Sequence, residues 1–354
     1  MPKSLVVLCD GTWQSADREY PTNVRLFYNA LRKRDPDGAL QLAYYQDGVG
    51  TDGLLDKLLG GGFGVGLSDN VKEAYRFVVD NFAPGDRLFL LGFSRGAYTA
   101  RSLAGFIGYA GILKREAYRT DPSFFVDLVT TDRAEAIDAL YDLYKIGDDR
   151  PDIADTRFAD EVHRETPVEF LGVWDTVGAL GIPVLNPDAP VNRLYQFHDV
   201  TLGGHIKRAY HAVSIDERRG TFRATLWKKR DDAPDDQVVE QVWFAGDHGG
   251  VGGGNFVDGL SNIAFQWMCE KAMACGLTLN TASDTPDGIG HPDRQGYILD
   301  PAGDGLHGFF ARLPQYARDV MYPGYAGQSV HPLVDKKIQE DPTYEPENYT
   351  PSAP

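Results

Sequence analysis

Residues 87–111 read RLFLLGFSRGAYTARSLAGFIGYAG, an apolar run that passes without interruption into a Gly-x-Ser-x-Gly turn and then into small residues at helical spacing. The run is apolar on both faces, which predicts a strand held between two helix layers. Gly92 and Gly96 carry no side chains, so strand and helix can approach closely around a strained Ser94. A serine hydroxyl is a poor nucleophile until a neighbouring base takes its proton. At this turn the Arg95 amide and the positive end of the following helix face the place where a reacting oxygen would carry charge. The plainer reading is a tight turn whose serine caps the helix. What separates the two is whether the rest of the chain supplies a base and an acid.

Five further runs share the β-branched and aromatic content of 87–94: 4–10, 40–48, 168–176, 208–216 and 238–247. Most are apolar on both faces, and several lead through a polar or glycine turn into a helical pattern. This predicts an α/β fold with a doubly wound, mostly parallel sheet and helices on both faces. Residues 68–82 place Val71, Ala74, Tyr75, Val78 and Phe82 on one helical face behind an N-cap at Ser68, and 258–277 form a similar helix ending at Gly276. Residues 114–166 are helical, acidic and long for a connection, so they read as a helical cap inserted near the carboxyl ends of the strands. The tail 340–354, rich in proline and acid, reads as extended. No internal repeat divides the chain, and 1–354 is read as one domain.

With 42% hydrophobic and 12% aromatic residues among 354, the chain can bury a sizeable core. A formal net charge of −16 repels phosphate backbones and argues against a nucleic-acid partner. Transient contact with a membrane surface would have to rest on apolar rather than basic surface. Cys9, Cys269 and Cys275 are an odd number without CxxC spacing, which argues against disulfides or a zinc site and for a reducing cytoplasm. The N-terminal apolar run Leu5–Cys9 is too short for a signal-peptide core or a bilayer span. A soluble, cytoplasmic protein is expected, and any export would use a route that reads no cleavable signal.

A base and an acid must come from later loops of the same sheet, in the order serine, acid, histidine. Of eight histidines, His248 is the best placed, following the strand 238–247 and entering the glycine-rich loop DHGGVGGG. His211 lies within a strand and reads as a packing residue. His163, His198, His205, His291, His307 and His331 fall in loops or cap-like segments, where solvation or capping is the ordinary role. Two aspartates end strands after the serine, Asp175 and Asp216. Counting strands favours Asp216, the neighbouring Arg218 and Arg219 favour an ion-paired structural role for it, and spacing alone leaves both open. Gly11 and Thr12, after the first strand, either offer a second amide to an oxyanion or form a plain strand-end turn stabilised by Asp10. The stretch LLGGGFGVGLSDN (58–70) lacks the lysine of a phosphate-binding loop and reads as a loop near the rim of the site.

Five separated blocks occur in order: LCDGTWQ with PTNV behind it, LLGFSRGAYTARSLAG, FLGVWDTVGALG, HAVSIDERRGTFRATLW and QVWFAGDHGGVGGG. Together they resemble the α/β-hydrolase domain family that includes class-one type VI secretion lipase effectors, over residues 5 to about 276. The resemblance implies an α/β-hydrolase-like sheet and an esterase, lipase or phospholipase that forms an acyl-enzyme on a small-molecule or lipid ester, without metal or cofactor. It implies Ser94 as nucleophile, His248 as base and Asp175 rather than Asp216 as acid, with Arg95 and the turn at Gly11 and Thr12 as oxyanion donors. One departure is that relatives commonly carry Ser–Asp directly after the histidine, where this chain has Gly249 and Gly250. The same triad would serve a thioesterase or peptidase, and an inactive hydrolase fold used as a binding module is the non-enzymatic alternative.

Overall fold

The computed structural model describes residues 1–11, 20–48, 63–118, 126–177, 200–220, 222–255, 258–280 and 316–351. Seven strands form the main sheet: β1 (Ser4–Cys9), β2 (Gln41–Gln46), β3 (Arg87–Phe93), β4 (Val168–Trp174), β5 (Arg208–Ser214), β6 (Val238–Phe244) and β7 (Gln328–Val330). Their order is β2-β1-β3-β4-β5-β6-β7, with every neighbouring pair parallel. The six runs singled out by composition are six of these strands. The seventh, β7, is too short to show a pattern and exists because Gln241–Trp243 of β6 give it a ladder to join.

Side-chain alternation divides the interior in two. In β1, Leu5, Val7 and Cys9 enter one core, and Val6 and Leu8 enter the other; in β3, Leu88 and Leu90 oppose Phe89, Leu91 and Phe93 in the same way. The elements covering these faces are α1 (Asn23–Ala30), α2 (Phe63–Asn81), α3 (Arg95–Ala110), α4 (Val126–Lys145), α5 (His248–Gly252), α6 (Gly259–Ala274) and α7 (Pro332–Glu340). Helices α2, α3 and α4 share the first core, and α1 and α6 the second. Ala97, Ala100 and Ala104 let α3 lie close to the sheet. Farther out, the Phe106 ring packs against Tyr75 of α2 and Tyr144 of α4 at a tilt and against Tyr141 of α4 edge-on. The described part of 114–166 is thus braced on the outer side of α2 and α3.

Two local expectations change. The helix expected to begin behind Ser68 begins at Phe63, so Ser68 lies inside α2, and the second half of the glycine-rich stretch is helical rather than loop. Residues 341–351 contain no helix or strand, yet they are tied down: Tyr344 donates to Asp216 (2.9 Å) and Tyr349 to Asp335 (2.8 Å). Among the described residues, no helix is long and apolar enough to cross a membrane. The strand order reverses between β1 and β3, and in such sheets the crevice outside the carboxyl ends at that point is the natural ligand site.

Candidate active site

Ser94 sits at that crevice with φ 57° and ψ −121°, a left-handed conformation that costs a non-glycine residue on the order of 1–3 kcal/mol. The flanking glycines explain how it is held. A Cβ on Gly92 would lie 2.3 Å from the Gly96 carbonyl oxygen, and one on Gly96 would lie 2.1 Å from the Cys9 carbonyl oxygen. Only bare backbone therefore lets β3, α3 and the end of β1 meet. The Ser94 amide donates to the Trp174 carbonyl (3.1 Å), and Tyr98 donates to the Ser94 carbonyl (3.3 Å) to open α3. The Arg95 amide belongs to that first turn, whose N–H groups project toward the serine end of the helix.

Three side chains from three strand ends join here. Ser94 Oγ is 2.8 Å from His248 Nε2, and His248 Nδ1 is 2.6 Å from Asp175 Oδ2. With Nδ1–H donating to the carboxylate, Nε2 is the acceptor of the serine proton in the neutral imidazole. Burial lowers the His248 pKa below its ordinary value against the pull of Asp175, so the ring is poised as a base. Burial pushes the Asp175 carboxyl up, but the charge of Arg318 and the His248 hydrogen bond override it and hold the group well below the usual carboxylate range. Phe93 lies 4.6 Å from the imidazole, and Phe222 approaches it edge-on at 4.9 Å.

Arg318 escaped the sequence reading altogether. It is buried and grips Asp175 with two N–H groups, Nη1 to Oδ1 (2.5 Å) and Nη2 to Oδ2 (3.0 Å). It also donates to the carbonyls of Ser214 (2.9 Å) and Phe222 (2.5 Å). The Ser214 amide adds a second donor to Asp175 Oδ1 at 3.0 Å. The only sequence trace is one arginine in a patternless stretch 143 residues from the aspartate. Glu217, also overlooked, accepts from the His248 amide (3.2 Å) and pairs with Arg219 through two bonds of 2.8 and 2.6 Å.

The remaining candidates divide. Asp216 lies apart from the histidine, accepting from the Gly246 amide (2.7 Å) and Tyr344. The ion pairs expected for it belong to neighbours, Arg219 with Glu217 and Arg218 with Glu347. Gly11 stands beside the serine, with a Cβ there falling 3.3 Å from Ser94 Cβ, but its amide donates to Asp10 Oδ1 (2.7 Å). The Asp10 carboxylate, which also accepts from Thr22 (2.6 Å) and Tyr45 (2.5 Å), thus folds back onto the Gly11 amide. Thr12 lies outside the described residues.

His211 is buried in β5, where its Nε2 accepts from the Thr176 amide (3.0 Å), so this packing residue also secures the backbone beside Asp175. Burial pushes its pKa down to about 3 and keeps it neutral. His331 caps α7, as loop histidines are expected to do. A Cβ on Gly249 would lie 2.3 Å from Asn255 Nδ2, so a larger residue there would displace the Asn255 side chain. With glycine at 249 the Asn255 side chain packs against the backbone there, and the His248 ring keeps both of its hydrogen bonds.

A doubly wound parallel sheet with a serine at the tip of a strand-to-helix turn, on the carboxyl edge, is the build of α/β-hydrolase-like proteins. The chain belongs to the type VI secretion system Tle1-like phospholipase effector family, whose catalytic-domain model matches residues 3–271. It is 28% identical to an uncharacterised protein of Saccharomyces cerevisiae, covering 62% of this chain and 32% of that one. A crystal structure of an uncharacterised Pseudomonas aeruginosa protein aligns with 88% of this chain and 52% of its own, at 18% identity and a TM-score of 0.47. The Tle1 effector bound to the VgrG spike of the type VI secretion system aligns over 72% and 52%, at 15% identity and a TM-score of 0.38. The chain therefore spans about a third of the length of the curated relative and about half of each structure. Arg318 lies beyond the matched residues.

Proposed function

We propose that this chain is a serine hydrolase of carboxylic esters, a phospholipase or related lipase, acting through Ser94, His248 and Asp175. The observation that carries the reading is the unbroken relay from Ser94 Oγ to His248 Nε2 (2.8 Å) and from His248 Nδ1 to Asp175 Oδ2 (2.6 Å). As Oγ attacks the acyl carbon, its proton passes to Nε2, and Asp175 holds the tautomer and stabilises the imidazolium. The oxyanion develops against the Arg95 amide and the positive end of α3. His248 then protonates the departing alcohol, leaving the acyl group on Ser94. Water, deprotonated by the same ring, attacks that ester and returns the serine. No step requires a cofactor.

Family membership directs the substrate toward phospholipid. The whole chain is read as one hydrolase domain, with 114–166 as a helical insertion braced on α2 and α3. Contact with a lipid surface would be transient, and export would follow a secretion route that needs no cleavable leader. A fluorophosphonate probe tests the nucleophile: wild type labels and Ser94→Ala does not. Labelling that survives in Ser94→Ala refutes the assignment. A panel of phospholipid, short p-nitrophenyl esters, thioesters and peptides tests the substrate class, with ester turnover expected to exceed the others.

A further inference from the structure

A cavity of about 370 Å³ opens on the face of the sheet that carries α3. Its floor is Arg101, Trp227 and Leu171, and its walls include Tyr109, Tyr144 and the segment 201–206. Arg101 is only 8% exposed. Its Nη1 donates to the Thr225 carbonyl (2.5 Å), and its guanidinium lies 4.8 Å from the Trp227 ring centre. Among the described residues no carboxylate meets it, and burial pushes its pKa down to about 9. Two exposed arginines stand at the rim: Arg150 lies over Tyr109 (4.7 Å) and Tyr144 (5.5 Å), and Arg230 pairs with Asp232. His205 joins the wall through Nε2, which donates to the Ala104 carbonyl (2.8 Å), and burial lowers its pKa below the ordinary value.

Burying a guanidinium without an anion costs several kcal/mol, so an unmatched one needs a reason. Ester hydrolysis does not provide it, because Arg101 is seven residues past Ser94, about 10 Å along the helix axis. Simple packing does not provide it either, since a straight apolar side chain would cover Trp227 at no charge cost. Arg101 and Arg150, with the Arg230–Asp232 pair at the rim, bring net positive charge to one cavity in a chain of net charge −16. The volume falls within the range of about 300–1,000 Å³ common to small-molecule sites.

We propose that this cavity binds a phosphate monoester. The phosphate sits in the fork of Arg101 beneath Arg150 and Arg230, and the organic part lies against Trp227 and Tyr109. Guanidinium geometry suits the bidentate capture of phosphate oxygens, and more than one cation matches a dianion better than a carboxylate. A soluble phosphate ester and the headgroup of an anionic lipid share this chemistry. The site makes no use of the serine, so it stands or falls apart from the hydrolase reading.

Calorimetric titration of the full chain with glycerol 3-phosphate tests it, beside glycerol as the uncharged control and phosphatidylcholine vesicles with and without phosphatidic acid. Saturable binding of glycerol 3-phosphate but not glycerol is expected. Arg150→Gln and Arg230→Gln, both at exposed positions, should each weaken it about tenfold or more, the loss of one charged hydrogen-bond donor. Arg101→Gln should abolish it, and Ser94→Ala should leave it unchanged. Phosphatidic acid vesicles that compete with glycerol 3-phosphate assign the site to a lipid headgroup, and failure to compete assigns it to a soluble ester. Absence of saturable binding to both, or affinity unaltered in Arg150→Gln and Arg230→Gln, overturns the proposal.

Discussion

Arg318 and Arg101 are both withdrawn from water, and they meet opposite surroundings. Arg318 faces the Asp175 carboxylate through two hydrogen bonds and two backbone carbonyls beyond it. Arg101 faces one carbonyl, an indole ring and an open cavity. The first is a closed account of charge, in which the cation keeps the acid ionised and fixed in place. The second is charge left unmatched beside space that a ligand can fill. The contrast also bears on catalysis: an aspartate already neutralised by arginine pulls less strongly on the imidazole than a lone one, so its contribution leans toward orientation.

The sharpest way to break that comparison is to remove the acid. Asp175→Asn should lower kcat about 10⁴-fold by favouring the wrong histidine tautomer, and steady-state ester hydrolysis measures it. A fall of only a few fold would mean that Arg318 and its carbonyl contacts orient the site without the charge. Next in size, Arg318→Met strands a buried carboxylate and should cost about 3–5 kcal/mol in chemical denaturation, with Arg318→Lys recovering part of it. Arg101→Met should leave stability near that of wild type or raise it, because the orphaned Thr225 carbonyl, worth about 1–3 kcal/mol, is offset by removing a buried charge that no anion matches. Equal losses at the two positions would erase the distinction.

The pH dependence gives the smallest and most specific signal. Catalysis needs His248 neutral, and burial has lowered its pKa. The rising limb of kcat/KM should therefore lie below the ordinary imidazole value of about 6.5. Arg318→Met unmasks Asp175, which then stabilises the imidazolium and should move that limb to higher pH. The stability sign follows from the same shift. A histidine pKa lower in the folded than in the unfolded chain gives stability that is present above about 6.5 and lost as pH falls through the folded value. His211, pushed down to about 3, extends that loss further into acid. Denaturation midpoints that rise between pH 7 and 5 would contradict this.

Much of the site was legible because its signals are local. The turn at Ser94 is written in Gly92 and Gly96, whose missing Cβ atoms are what the packing of β3, α3 and β1 requires. His248 stands out because it opens the glycine-rich stretch behind a strand, which folds as the short helix α5, and the six long strands show in their apolar runs. Asp175 and Asp216 were equivalent on spacing, and the motif resemblance separated them before the hydrogen bond to His248 did.

What adjacent residues dictate is backbone shape: runs of β-branched and aromatic side chains, glycine at forbidden angles, small residues under a helix. Charge compensation follows different rules, because a guanidinium and a carboxylate can pair across any length of chain once folding brings them within 3 Å. That is why Arg318 reaches Asp175, why Asp10 takes the Gly11 amide, and why Glu217 rather than Asp216 holds Arg219. Short-range sterics thus announce the serine and its sheet, while the groups that hold the acid in place, and the unmatched arginine on the far side of α3, emerge only from the packed chain.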